Sequence, residues 1–175
     1  MKDLKILFSK KNIERLKAGD KVLFSGIIYT ARDQAHKKMV EAVNKKRRLP
    51  FELEGQIIYY CGPTPASKGR PIGSCGPTTS SRMDEFTPLL LSKGLLGLIG
   101  KGDRSKKVRD AIKKSKAVYF ITIGGAGAYL SKKVISSRAI GYKELGPEAI
   151  YRLEVNDFPL IVAIDSKGRS IFNGK

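Results

Sequence analysis

The densest chemistry in the sequence lies in one loop, Gly73-Ser74-Cys75-Gly76-Pro77-Thr78-Thr79-Ser80-Ser81-Arg82-Met83-Asp84. Pro77 fixes one backbone dihedral and Gly76 relaxes its neighbour, so Thr78 and Thr79 can be held in a defined turn. The hydroxyls of Thr78, Thr79, Ser80 and Ser81 then stand beside one guanidinium, that of Arg82. Such a loop suits a carboxylate or a phosphate, and the amides of a helix starting here would add to the attraction. The same residues also read as a helix cap with ordinary Ser/Thr decoration. Two further cations stand next to turns. Arg32 falls in the first turn of the helix expected after the strand that ends near Ile28. A cation there opposes the helix macrodipole, which points to a purpose other than helix stability. Lys101 lies between Gly100 and Gly102, where glycines permit close approach of a ligand. His36, the only histidine, follows Arg32 by one turn and reads as a hydrogen-bonded structural group rather than a metal ligand.

Other chemistries lack their residues. One histidine and two cysteines, Cys61 and Cys75, give no zinc-site spacing, so no metal ligand is assigned in this chain. Gly100-Lys101-Gly102 lacks the Walker spacing, and Gly124-Gly125-Ala126-Gly127 does not match the dinucleotide fingerprint. No serine-hydrolase elbow is present. Two cysteines also fall short of an iron–sulfur cluster, which takes four thiolates, or three when one iron stays open to substrate.

The elements that must position these residues alternate. Lys21–Ile28, Gln56–Cys61, Ala117–Ile123 and Leu160–Ile164 read as strands. A turn at Asp165-Ser166-Lys167-Gly168 leads to Ser170-Ile171-Phe172, which predicts a C-terminal hairpin. Helices are expected from Thr30, with apolar Ala35, Met39, Ala42 and Val43, and from Asp103, with Val108, Ala111 and Ile112. Thr30 and Asp33 resemble a capping pair for the first of these. Thr87-Pro88 and Gly94 bracket a short helix, and Gly124–Ala128 leads into another that ends near Ile135. The pattern predicts one α/β domain over residues 1–175 with a mixed sheet.

The chain has 175 residues, with 34 Lys and Arg against 16 Asp and Glu, for a net charge of +18. The excess is +9 in residues 1–50, zero in 51–100, +8 in 101–150 and +1 thereafter. The candidate loop is therefore in the neutral quarter. The surplus rides on the two long helices, whose basic residues have no interleaved aromatics to stack on bases, so a basic RNA-binding protein is the weaker alternative. No apolar run is long enough to span a bilayer. Leu4–Phe8 is broken by Lys5 and followed by Lys10-Lys11, unlike a signal peptide. With no disulfide framework, the expected setting is the cytoplasm.

In family order the sequence also contains Ala31-Arg32-Asp33-Gln34-Ala35-His36, Gly62-Pro63-Thr64, the Gly76–Asp84 run, Gly100-Lys101-Gly102, Gly124-Gly125-Ala126 and the long stretch from Glu144 to Pro159. Together they resemble the β subunit, or C-terminal domain, of the class I iron–sulfur fumarate hydratase and L(+)-tartrate dehydratase family. Tyr151, Asn156 and Cys75 depart from the family pattern without removing a residue assigned to substrate.

The resemblance implies a swivelling β/β/α-type domain that closes over a separate α subunit. It implies a hydro-lyase, fumarate hydratase or alternatively tartrate dehydratase, active only with that partner and possessing a [4Fe–4S] cluster held by three cysteines of the partner. Self-association into a heterotetramer is a further expectation. By family match Thr78 is the candidate base, while Arg32, Thr78, Thr79, Arg82 and Lys101 bind the dicarboxylate. His36 and Asp84 support them. Malate dehydration takes a proton from the carbon beside a carboxylate, and cations around that carboxylate stabilise the transition state more than the ground state.

Overall fold

The computed structural model describes the backbone of residues 2–4 and the whole of residues 8–122 and 125–172. Most of Leu4–Phe8 and the Ile123-Gly124 pair therefore lie outside the described residues. The elements in chain order are β1 (Lys2–Leu4), α1 (Lys10–Ile13), β2 (Lys21–Thr30), α2 (Asp33–Asn44), β3 (Ile57–Tyr59) and α3 (Thr87–Ser92). There follow β4 (Gly97–Gly100), α4 (Lys106–Ser115), β5 (Val118–Ile121), α5 (Gly127–Ser131), β6 (Val134–Gly141) and β7 (Ile150–Ile164).

The expected mixed α/β architecture is present, and its sheet closes on itself. Strands β2, β3, β4 and β5 run parallel in that order. Strand β7 runs antiparallel to both β2 and β5 and so joins the two ends into a five-stranded barrel. β1 extends β2, and β6 lies on the first half of β7.

Because successive side chains alternate across a strand, each barrel strand serves two cores. Ile57, Tyr59, Ile99, Val118 and Phe120 point into the barrel with Phe24, Leu153, Val155, Phe158 and Val162. Their neighbours Ile58, Tyr60, Leu98 and Tyr119 face outward and pack with Ala35, Met39, Leu90, Val108 and Ile112 of α2, α3 and α4. Burial on both faces explains why these strands read as continuous apolar runs rather than alternating ones.

Four expectations change. The segment to Ile135 is not one helix: α5 stops at Ser131 and β6 begins at Val134. The last long strand starts at Ile150, not Leu160, and runs through Pro159. Pro159 is tolerated because one edge of β7 has left β6 at Val155 and meets β5 only at Ile161. Thr30 does not cap α2. Its hydroxyl donates to the Ala149 carbonyl at 3.4 Å and accepts from the Tyr151 amide at 3.0 Å, tying β2 to the start of β7. The expected C-terminal hairpin is reduced to a single antiparallel bridge between Ile164 and Ser170.

Candidate functional site

The candidate residues gather where the parallel strands end. Such carboxyl-end crevices are where open α/β sheets bind ligands, and the same logic applies to this parallel half-barrel. Arg32 follows β2, Gly62 follows β3 and Lys101 follows β4. The loop of residues 73–84 crosses these ends. The Thr78 amide donates to the Tyr60 carbonyl at 2.6 Å, fastening the loop to the end of β3. Thr79 pairs with Lys101 as an isolated parallel bridge. The Ser80 amide donates to the Lys101 carbonyl at 3.1 Å, and the Lys101 amide donates to Ser80 Oγ at 3.0 Å. The structure therefore brings Thr78, Thr79 and Lys101 together.

Glycine is required at two of these junctions. A Cβ on Gly100 would come within 1.9 Å of Ser80 Oγ, so the loop could not sit on β4. A Cβ on Gly62 would come within 2.8 Å of Arg32 Cδ, so Arg32 lies across the turn after β3. After Thr79 the chain forms a short 3-10 turn, Ser80–Met83, rather than an α-helix.

Arg82 and Arg32 meet at one carboxylate. Arg82 Nε donates to Asp33 Oδ1 at 3.0 Å, and Arg32 Nε lies 3.9 Å from Asp33 Oδ2. Arg32 Nε also lies 3.8 Å from Glu148 Oε1. Arg32 occupies the residue before α2, with Asp33 in its first turn. His36, one turn on, is fully buried. Its backbone amide and its ring Nδ1 both point at the Arg32 carbonyl, at 2.9 and 2.8 Å. The carbonyl can only accept, so Nδ1 carries the proton and Nε2 is bare. Burial pushes the His36 pKa down to about 4, keeping the ring neutral. The ring rests against Tyr60 and Phe86. His36 thus holds the backbone of Arg32 and touches no open surface.

Asp84 has a different partner. Its Oδ1 accepts from Arg104 Nε at 2.7 Å and its Oδ2 from the Ser105 amide at 2.7 Å. Arg104 is buried and lies over the rings of Tyr60 and Tyr119. It also donates to the Tyr60 hydroxyl at 3.2 Å and to Thr87 Oγ1 at 2.9 Å. Burial alone would lower the Arg104 pKa, but the Tyr60 and Asp84 oxygens outweigh it and raise it. The Tyr119 hydroxyl donates to Ser80 Oγ at 2.9 Å, linking this cluster to the back of the loop. Sequence reasoning missed Arg104, Tyr60, Tyr119 and Glu148, and took Asp33 only for a capping residue. The one available signal was a cation two residues past the Gly100-Lys101-Gly102 turn.

Cys61 and Cys75 lie buried beside each other in the barrel core. Hydrogen bonding to Cys75, then burial, push the Cys61 thiol pKa well up. Two buried cysteines, of which Cys61 resists ionisation, fall short of the three or four thiolates that an iron–sulfur cluster takes. Among the described residues no group of three or more His, Cys, Asp or Glu side chains is placed to hold a metal ion. No described helix is long and apolar enough to cross a membrane. Several basic residues of the long helices pair with acids, as in Lys106–Asp110 at 2.7 Å and Lys38–Glu144 at 2.9 Å.

What the arrangement can do is bind a polar anion on an open rim. Thr79, Arg82 and Lys101 are exposed, and Arg32 and Thr78 are partly so. Arg32 and Arg82 converge on Asp33, with Glu148 beside Arg32, while Thr79 and Lys101 are bridged at the end of β4.

Comparison with known sequences gives concordant matches. The profile of the family described as Fumarase C-terminus matches residues 2–175. The class I anaerobic fumarate hydratase of Escherichia coli strain K12 is 41% identical over 150 residues, covering 85% of this chain and 27% of that protein. Fumarate hydratase 2 of Leishmania major is 37% identical over 166 residues, covering 94% of this chain and 29% of that protein. The "Putative L(+)-tartrate dehydratase subunit beta" of Methanocaldococcus jannaschii is 39% identical over 170 residues, covering 94% of this chain and 87% of that protein. The chain thus spans less than a third of the two fumarate hydratases and most of the tartrate dehydratase subunit.

Proposed function

Because the chain belongs to the fumarase C-terminus family, we propose that it is the β subunit of a heteromeric class I hydro-lyase that interconverts fumarate and L-malate. The observation that carries this reading is that Arg32 and Arg82 share Asp33, at the end of the loop whose Thr79 is bridged to Lys101. A guanidinium grips a carboxylate through two parallel N–H bonds, so two arginines suit a dianion with two carboxylates. Lys101 adds a compact charge.

Dehydration removes the C3 proton and the C2 hydroxyl of malate, and the two leave as water. As the proton departs, negative charge builds on the adjacent carboxylate, where the cations stabilise it more than in the ground state. Thr78 is the candidate proton acceptor, with Thr79 as its hydrogen-bonding neighbour. A threonine hydroxyl is a weak acid and needs nearby cations to serve as a base. Arg32, Arg82 and Lys101 supply them.

In this reading a [4Fe–4S] cluster would be held by a separate α subunit and would supply Lewis-acid polarisation of the substrate hydroxyl. An open rim needs a second body to exclude water from the reaction, which favours a partner that closes over it. The complex is taken to be cytoplasmic. The second reading is an L(+)-tartrate dehydratase subunit, favoured by the near full-length match to a separate β subunit of that name.

The test is anaerobic reconstitution with a candidate α subunit, following fumarate by ultraviolet absorbance with L(+)-tartrate as competitor. The complex is expected to turn over malate and fumarate, while this chain alone has neither iron nor activity. Stoichiometric cluster binding by this chain alone overturns the two-subunit reading. Preference for tartrate selects the second reading.

A further inference from the structure

Asp33 sits on α2 with one oxygen for each arginine, yet the two contacts are unequal. Arg82 Nε makes a hydrogen bond to Oδ1 at 3.0 Å. Arg32 Nε stops 3.9 Å short of Oδ2, and both of those atoms are buried with no hydrogen-bond partner. Buried donors and acceptors are costly to leave unpaired, so a donor and an acceptor facing each other unbonded are poised for a small movement. Asp33 also meets both arginines at Nε. That keeps Asp33 off the Nη1–Nη2 edge of each guanidinium, which for the half-exposed Arg82 is the edge an incoming carboxylate would meet, while Arg32 Nη1 lies beside Gly62. The place of Asp33 in the first turn of α2 gives it a rigid base.

We propose that Asp33 is a positioning residue that yokes Arg32 and Arg82, holding both forks aimed outward and partly neutralised until a dicarboxylate takes over their charge. The proposal rests on the reading of the rim as a dicarboxylate site. Arg32, Arg82, Asp33 and Glu148 together carry no net charge, with Lys101 adding one positive charge. Without the Asp33 charge the rim grips a dianion harder in the ground state, but its cations are less well aimed at the charge that develops later. Ground-state binding tightens while turnover falls.

In the reconstituted complex, Asp33→Asn is expected to lower kcat about tenfold and to lower KM for L-malate about threefold. Asp33→Glu restores the charge, so KM returns towards the wild-type value while kcat stays reduced. A residue that merely supports the fold would reduce the active fraction without lowering KM. An unchanged kcat, or a KM that is unchanged or raised in Asp33→Asn, overturns the yoke.

Nitrogen-15 NMR of the full chain alone reads the same contact without turnover. The Arg82 Nε–H signal should exchange slowly with water in the wild type and rapidly in Asp33→Ala. The buried Arg104 Nε–H signal, unchanged in both, certifies that the variant is folded. Equal exchange of Arg82 Nε–H in both proteins overturns the proposal. Failure of the complex to process either malate or tartrate would instead sink the functional reading, with the NMR comparison still deciding the yoke.

Discussion

Two of the arginine–aspartate centres among the described residues, which adjoin in sequence at Arg82 and Asp84, are built from the same groups in opposite ways. At Arg104–Asp84 every contact is closed. The guanidinium donates from Nε, Nη1 and Nη2, two tyrosine rings sandwich it, and both Asp84 oxygens are occupied. At Arg32, Arg82 and Asp33 the contacts are open. One hydrogen bond is made, two separations stop at 3.8 and 3.9 Å, and half of the Arg82 side chain is exposed. A saturated buried pair fixes loop to loop, whereas an unsaturated pair on a rim retains donors for something else. Chemical type alone does not separate structural from functional charge; the state of the remaining hydrogen-bond capacity does.

The sharpest way to break this contrast is to truncate one arginine from each centre. Arg104→Ala should destabilise the fold by about 3–5 kcal/mol, because removing one partner of a buried pair strands the other. Urea unfolding at equilibrium measures it, and a loss below about 1 kcal/mol would show that the closed centre is not structural. Arg82→Ala should do the reverse. Its exposed ion pair is worth at most about 1 kcal/mol to stability. Turnover in the complex should fall about 100-fold or more in kcat/KM, with the subunits still associating. Unchanged kinetics would remove the carboxylate-clamp role.

The two centres also differ in how legible they were. Arg82 stands in a run of hydroxyls after Gly-Pro, and Arg32 follows a strand, so residue types and spacing marked both. Arg104 carries no such mark, because burial depends on Tyr60 and Tyr119 meeting across β3, β4 and β5. The barrel strands follow the same division. Ile57-Ile58-Tyr59-Tyr60 is apolar on both faces and reads as a buried strand. Strand β7 alternates buried Leu153 and Val155 with exposed Arg152, Glu154 and Asn156, and Pro159 interrupts it. Its length comes from tertiary partners, with β2 on one side and β6 then β5 on the other. Closure of the sheet, which sets the strand ends around one rim, was therefore not visible in any local pattern.

His36 provides a finer test, since it belongs to the open centre by sequence and to the closed kind by burial. Its ring donates to the Arg32 carbonyl at 2.8 Å and is held neutral, with a pKa lowered to about 4 by burial. The unfolded chain protonates near the ordinary value of about 6.5, so as pH falls the unfolded state takes the proton first. Stability is fully present above that value and is lost on the way down to the folded-state pKa. The expected loss from this residue is about 1 kcal/mol between about pH 6 and about pH 5. His36→Asn keeps a donor near the Nδ1 position and removes the titration, so its unfolding free energy should vary less over that interval. Identical pH slopes in the two proteins would mean that the ring can take up a proton within the fold, and that the carbonyl of Arg32 is not held by a neutral imidazole.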